Sequence, residues 1–435
     1  MARRLNAKDK NFAADFAALL SSRDADEEDV AEQVKGIIAN VRAGGDDALV
    51  LLTKKFDRAA VTAATLRLSV AEIDEAVAKV TPAQTAAIAT AASRIRAYHQ
   101  RQLPADDNFT DDAGAQLGWR WTAVDSVGLY VPGGTASYPS SVLMNAIPAH
   151  VAGVKRIVMV TPASGGVLNP LVLAAARHAG IGEIYRIGGA QAVAALAYGT
   201  ATIAPVDKIV GPGNAYVAAA KRQVFGQVGI DSIAGPSEIL VIADGANDPD
   251  WIAADLLSQA EHDASSQSIL ITDDAVFADK VAEAAQRALA LLPRKDIAAK
   301  SWGTHGGIIV VEKLEDAAAL SDRIAPEHLE IATADPKLLL AQVRHAGAIF
   351  LGKHTPEAMG DYIAGPNHVL PTSRSARFSS GLSVLDYMKR TTLLSLDAKA
   401  INTLGPQAIT LAQAEGLQAH ANSIAARLNQ AKHTR

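Results

Sequence analysis

"RIVMVTPASGGVLNPLVLAAARHAGIGEIYRIGGAQAVAALAYG", residues 156–199, alternates two kinds of apolar segment. Short runs rich in β-branched residues, 156–162 and 183–189, are separated by alanine-rich runs long enough for helices, 171–180 and 190–199. Strand-type runs without a polar face, joined by helical crossovers, predict a parallel sheet covered on both sides. "DKIVGPG" (207–213) and "AYVAAAKRQV" (215–224) continue the rhythm, and "GWRWTAVDSVGLYVPGG" (118–134) before it reads as strands ending in a glycine turn. A second series starts at "EILVIAD" (238–244) with a helix from about Pro249, then "SILITDD", a helix over 274–292, "GIIVVEK", a helix over 314–324 and "GAIFLG".

Two such series of similar size predict an α/β fold of two related Rossmann-like (incomplete) parallel-sheet domains, 103–235 and 236–375. From Asp24 to about Gln102 the pattern is helical, with capping-box spacings at Ser69/Glu72 and Thr81/Gln84, so residues 1–102 read as an N-terminal helical lobe. Beyond His368 come Ser-, Arg- and Thr-rich loops and two helical runs, about 396–414 and 419–431. These are too short for a core of their own, and the segment 376–435 is expected to dock elsewhere, on a second copy of the chain.

The chain has 435 residues, enough for a large core and more than one domain. Its formal charge of −5 offers no basic surface for nucleic acid. The first residues are basic but run into polar ones, no stretch supplies the ~20 apolar residues of a membrane span, and a cytoplasmic protein is expected. There is no cysteine, which excludes disulfides, thiolate ligands and a thiol nucleophile.

The glycine turns are ambiguous. "GPGNAY" (211–216) has two glycines of a dinucleotide fingerprint but Tyr216 in place of the third, so nucleotide binding and plain turn geometry both fit.

Polar residues that could do chemistry cluster in four places. In "SQAEHD" (258–263), Gln259 and His262 flank the apolar stripe of a helix capped by Asp248, about 60° apart at 100° per residue, and could converge on one point or simply form a solvated flank. In "RIAPEHLEIAT", Glu327 and His328 are neighbours that share a pocket only if the chain is irregular after Pro326; they could handle protons or be a surface pair. Asp361 and His368 bracket a Gly-Pro turn, and Glu415 and His420 bracket Gly416. Taken together, imidazoles, a carboxylate and an amide oxygen suit zinc or a similar divalent ion.

At these residues the chain resembles the histidinol dehydrogenase family, zinc- and NAD-dependent enzymes that finish histidine biosynthesis. "GLYVPGG", "VGPGNAYV", "AGPSEILVIAD", "DLLSQAEHD", "RIAPEHLEI", "GPNHVLPT" and "AEGLQAH" stand in the family's order, over nearly all of the chain after the first 20 or so residues. The resemblance implies zinc (Zn2+) ligands Gln259, His262, Asp361 and His420. It implies an acid/base pair, Glu327 and His328, and substrate contacts from Ser237, His328 and Glu415 as well as from the metal ligands. Tyr130, Gln191 and Asn214 would contact NAD, on the 103–235 side, and His368 and Glu357 would line the pocket. It further implies an intertwined homodimer whose swapped C-terminal tail brings Glu415 and His420 into the partner's site.

The implied substrate is L-histidinol, oxidised twice by NAD through an enzyme-held aldehyde. With no cysteine to form a thiohemiacetal, and Phe378 where some relatives carry one, water must add instead. Three alternatives stand beside this: a family relative acting on another small alcohol such as a dihydroxypropane sulfonate, a zinc hydrolase with no use for NAD, and a non-catalytic NAD-binding assembly protein.

Overall fold

The computed structural model describes residues 2–22, 28–133, 138–233 and 235–430. Gly134 and Ala234 of the motifs above, the start of the helical pattern at 24–27 and residues 431–435 of the tail lie outside them. The fold is mixed α/β with two parallel sheets, as the two series of apolar runs predict.

The first sheet contains β4 (Ser126–Tyr130), β5 (Arg156–Val160), β6 (Glu183–Tyr185), β7 (Lys208–Val210) and β8 (Gly229–Ile230), in the order β6-β5-β4-β7-β8. The second contains β1 (Arg3–Asn6), β9 (Glu238–Ala243), β10 (Gln267–Thr272), β11 (Gly307–Val310), β12 (His328–Ala332) and β13 (Ala348–Leu351), in the order β1-β11-β10-β9-β12-β13. Apart from the added β1, the two sheets wind alike: the first strand of each series is central, two follow on one side and two return on the other. That reversal creates a switch point between β4 and β7, and another between β9 and β12.

Each sheet is covered on both faces, which is why its strands are apolar throughout; all six residues of β9 are buried, as are all six of β10. Helices Pro139–Ala152 and Pro170–His178 pack on one face of the first sheet and Gly189–Tyr198 and Ala215–Val224 on the other. Pro249–Ala260 and Ala275–Leu289 cover one face of the second sheet and Asp316–Ile324 the other. Caps stop these helices from starting elsewhere: Asn169, Asn214, Asp248 and Asp274 each accept a backbone N–H of the first turn.

The expected N-terminal lobe does not stand apart. β1 joins the second sheet beside β11, and the Phe12–Leu20 helix buries Phe16 and Leu19 against its core. Helices Glu28–Phe56 and Pro82–Gln100 instead complete the two faces of the first sheet. These helices have one apolar stripe each, so burial against a sheet stabilises them more than packing on one another would. Both predicted capping boxes form, at Ser69/Glu72 and Thr81/Gln84.

The tail holds a strand where the sequence reads as loop. β14 (Met388–Ser395) pairs antiparallel with β3 (Gln116–Ala123), whose other edge carries β2 (Asp107–Thr110). Helices Ala398–Ala414 and Gln418–Gln430 then pack on each other, leaving Leu394 64% and Leu411 66% exposed.

Candidate active site and metal centre

β12 begins at His328, in register with Ile239 of β9 and Ala348 of β13, so the catalytic candidates sit at the amino edge of the second sheet. The chain reaches them irregularly: Ala325 has φ 48°, a left-handed conformation that costs a non-glycine residue about 1–3 kcal/mol. The neighbours Glu327 and His328 are consequently both buried on one side of the strand's start, with His328 Nδ1 3.6 Å from Glu327 Oε2.

Glu238, the first residue of β9, braces the pair. Its N–H donates to Glu327 Oε2 at 2.9 Å, and the Glu327 N–H donates to Glu238 Oε2 at 3.2 Å. His328 Nδ1 lies 2.9 Å from the Glu238 carbonyl oxygen. A carbonyl can only accept, so Nδ1 carries the proton and Nε2 presents a lone pair. That Nε2 is buried without a partner, and burial lowers the pKa of His328, keeping the ring neutral.

The lone pair faces carboxyl groups. Glu357 Oε1 is 3.6 Å from Nε2 and Asp361 Oδ1 is 3.9 Å away; His328, Glu357 and Asp361 offer ligand-type atoms that all lie within 4.8 Å of one another. Both carboxyls come from the short helix Glu357–Tyr362, which packs on Pro249–Ala260. Glu357 is 1% exposed, and burial, with the negative charge of Asp361 adding to it, pushes its pKa up to about 10. His368 closes the other side: Nδ1 donates to the Asp361 carbonyl oxygen at 3.0 Å, leaving Nε2 to accept from Ser141 Oγ at 3.2 Å.

Gln259 is 0% exposed, and neither its amide oxygen nor its amide nitrogen has a partner. A buried amide left unpaired costs about 1–3 kcal/mol per group, so its oxygen suits a ligand that the protein alone does not provide. The helix ends one residue after it, at Ala260, and His262 lies just past the last turn rather than in it. The His262 N–H still bonds back to Gln259 O at 3.2 Å, which keeps the two residues wound closely together. His262 acts electrostatically on both His328 and His368. Gln259, His262, Asp361, Glu327 and His328 thus belong to one region, with Ser237 immediately before β9.

Glu415 and His420 do not join them within the chain. Both are exposed at the turn between the two tail helices, and among the described residues no hydrogen bond or ion pair links them to Gln259, His262 or Asp361.

The NAD candidates lie elsewhere, at the carboxyl edge of the first sheet near its switch point. Tyr130 ends β4, and its hydroxyl accepts the Gly189 N–H at 3.0 Å. Gln191 is buried on the helix that follows, its Nε2 unpartnered. Asn214 caps the helix after the glycine loop. In that loop Gly211 has φ 112°, and any Cβ there would overlap the Tyr130 carbonyl oxygen. The loop is tied down by a buried ion pair: Lys221 Nζ donates to Gly211 O and to Asp231, whose other oxygen accepts the Gly211 N–H at 2.8 Å.

Sequence reasoning missed Glu238, although a carboxylate opening an unbroken apolar run was a visible oddity. It named Glu357 without giving it a partner.

A family model described as histidinol dehydrogenase matches residues 20–428. The chain is 65% identical to the histidinol dehydrogenase of Rhodospirillum rubrum over 98% of both chains, and 63% identical to that of Rhizobium meliloti over 99% of both. The crystal structure of histidinol dehydrogenase from Elizabethkingia anophelis, 37% identical, covers 99% of each chain with a TM-score of 0.94. With end-to-end similarity in sequence and in fold, the chain belongs to the histidinol dehydrogenase family.

Proposed function

We propose that this chain oxidises L-histidinol to L-histidine with two NAD, through an aldehyde that stays on the protein. The observation that carries the reading is the His328 imidazole: neutral, buried, its Nε2 lone pair unpartnered and aimed at the Glu357 and Asp361 carboxyls, in a chain 65% identical end to end to a histidinol dehydrogenase.

Zinc fits the donor set. Gln259, His262 and Asp361 would hold it, with His420 from a second copy of the chain. When bound, the ion supplies a Lewis-acidic anchor for the substrate's imidazole nitrogen and amino group. NAD, when bound by Tyr130, Gln191 and Asn214, supplies the hydride acceptor.

His328 does the proton work in both steps. As hydride leaves the carbinol carbon, Nε2 takes the hydroxyl proton, while Nδ1–H stays on the Glu238 carbonyl and stabilises the imidazolium. Glu327 then removes a proton from the water that adds to the aldehyde, and His328, having passed its first proton on, deprotonates the hydrate during the second hydride transfer. One alcohol, one water and two NAD become one carboxylate, two NADH and three protons. Ser237 and Glu415 would hold the substrate's polar ends.

The exposed tail motivates the dimer. Leu393, Leu394, Leu396, Leu411 and Leu417 are exposed apolar side chains that a second copy would cover, and the exposed His420 has no metal-ligating neighbour among the described residues of its own chain.

The deciding experiment mixes purified protein, L-histidinol and NAD. Reduced-nicotinamide absorbance should rise by two equivalents per alcohol and cease after chelation. Turnover of a dihydroxypropane sulfonate in place of histidinol would move the chain to another substrate, and hydrolysis without any nucleotide would overturn the redox reading. In His262→Ala, elemental analysis should find zinc lost; full occupancy would remove His262 from the ligand set.

A further inference from the structure

β12 is buried along its whole length, and a strand of this kind in a parallel sheet is ordinarily apolar; its third residue is nevertheless Glu330, 3% exposed. Alternation along the strand places Glu330 on the same face as His328, two residues earlier. Both face the Glu357–Tyr362 helix: His328 Nε2 approaches Glu357 Oε1, and Glu330 Oε1 accepts the Glu357 backbone N–H at 2.5 Å. That N–H belongs to the first helical residue, with Pro356 at the cap, and is one of the donors a helix cannot satisfy itself. A helix of six residues has little stability of its own.

The rest of the Glu330 carboxyl bonds to the side chain of Asp255 on the Pro249–Ala260 helix. Two carboxyl groups can share a hydrogen bond only if one keeps its proton. Burial pushes Glu330 well above the ordinary range, with the Asp255 charge acting the same way, whereas Asp255, half-buried, is pushed by burial only to about 6. The Glu330 carboxyl thus meets two elements at once, the Asp255 side chain on one helix and the Glu357 N–H at the start of the other.

We infer that Glu330 is a positioning residue: a buried carboxyl that links Asp255 to the start of the Glu357–Tyr362 helix and so fixes where Glu357 and Asp361 meet His328. The inference rests on the roles given above to Asp361 and His328. Glutamine reproduces both bonds, with its NH2 donating to Asp255 and its carbonyl accepting from Glu357. Leucine keeps the volume and makes neither bond.

The test compares wild type, Glu330→Gln and Glu330→Leu as zinc-loaded full chains, measuring kcat, both KM values, thermal midpoint and zinc retained after dialysis against a weak chelator. Glu330→Gln should match wild type within about twofold, while Glu330→Leu should lose kcat by about tenfold or more and retain less zinc, with KM for NAD unchanged. Glu330→Leu with wild-type kcat and zinc, whatever its midpoint, overturns the inference; so does Glu330→Gln failing as leucine does, since that would require an anion. Should the leucine variant not fold, Asp255→Ala carries the same test, because Asp255 borders a surface cavity of about 290 Å3 that admits the truncation. Its kcat should fall by about threefold with zinc retention, and unchanged values overturn the inference. A wild-type chain that binds zinc but leaves histidinol untouched would count against the proposed function, while the zinc-retention series would still decide the role of Glu330.

Discussion

At the carboxyl edge of the first sheet the chain is shaped by glycine and backbone. Gly211 lets the loop touch Tyr130, Gly189 binds the Tyr130 hydroxyl, and the buried charged pair Lys221–Asp231 serves the loop itself. At the amino edge of the second sheet the chain is shaped by carboxyl groups: Glu238, Glu327, Glu330 and Glu357 are all buried within one or two strands of His328. Equal strand orders therefore carry unlike edges. A backbone-built edge offers shape and N–H groups suited to a cofactor that needs holding, whereas an edge of crowded carboxyls supplies shifted pKa values suited to moving protons.

If that division is real, substitutions at the two edges should fail differently. The largest effect is expected at His328→Asn: kcat should fall by about 10³ to 10⁴, with zinc content and NADH binding by fluorescence titration both retained. Weakened NADH binding there would merge the two edges. Lys221→Met leaves the Asp231 charge buried alone, and should cost about 3–5 kcal/mol in denaturant unfolding while raising KM for NAD far more than KM for histidinol. Gly211→Ala forces a left-handed alanine against the Tyr130 carbonyl. It should cost about 1–3 kcal/mol and weaken NADH binding, with zinc untouched.

Within the proton edge itself, Glu327→Gln should slow oxidation of the aldehyde more than release of the first hydride, and equal losses in the two half-reactions would deny it the water. The smallest effect belongs to the outer cover of the first sheet. Glu72 is lowered to about 2, chiefly by its hydrogen bond from Arg186 and then by its own capping box. A depressed carboxylate stabilises the fold above its unfolded pKa and loses that contribution as pH falls towards about 2. Glu72→Gln should thus flatten acid denaturation between about pH 4.5 and 2 by only a fraction of a kcal/mol, because the Glu72 carboxylate itself is solvent-exposed and screened.

The two sheets were legible because strands buried on both faces leave unbroken apolar runs, and helices between them leave alanine-rich ones. β1 was not: "RRLN" is an edge strand with only Leu5 buried, and nothing local says which sheet it joins. β14 was hidden likewise, since most of its side chains face solvent. In the site, Gln259, His262, Glu327, His328 and Asp361 were legible as chemistry-bearing residues in quoted motifs. Their supports were not. Glu238 and Glu330 act through partners 89 and 27 residues away in sequence, Glu327 and Glu357, a distance that no periodicity spans.

The pairing of Arg3 with Gly307 also carries a message about synthesis. A ribosome that has made the opening tetrapeptide must add about 300 more residues before its hydrogen-bonding neighbour exists. Until then the first sheet can close from contiguous material, whereas the nascent segment waits with bare amides beside whatever is near. A bulky fusion ahead of Arg3 should accordingly slow maturation of the later half and leave the earlier half nearly unaffected.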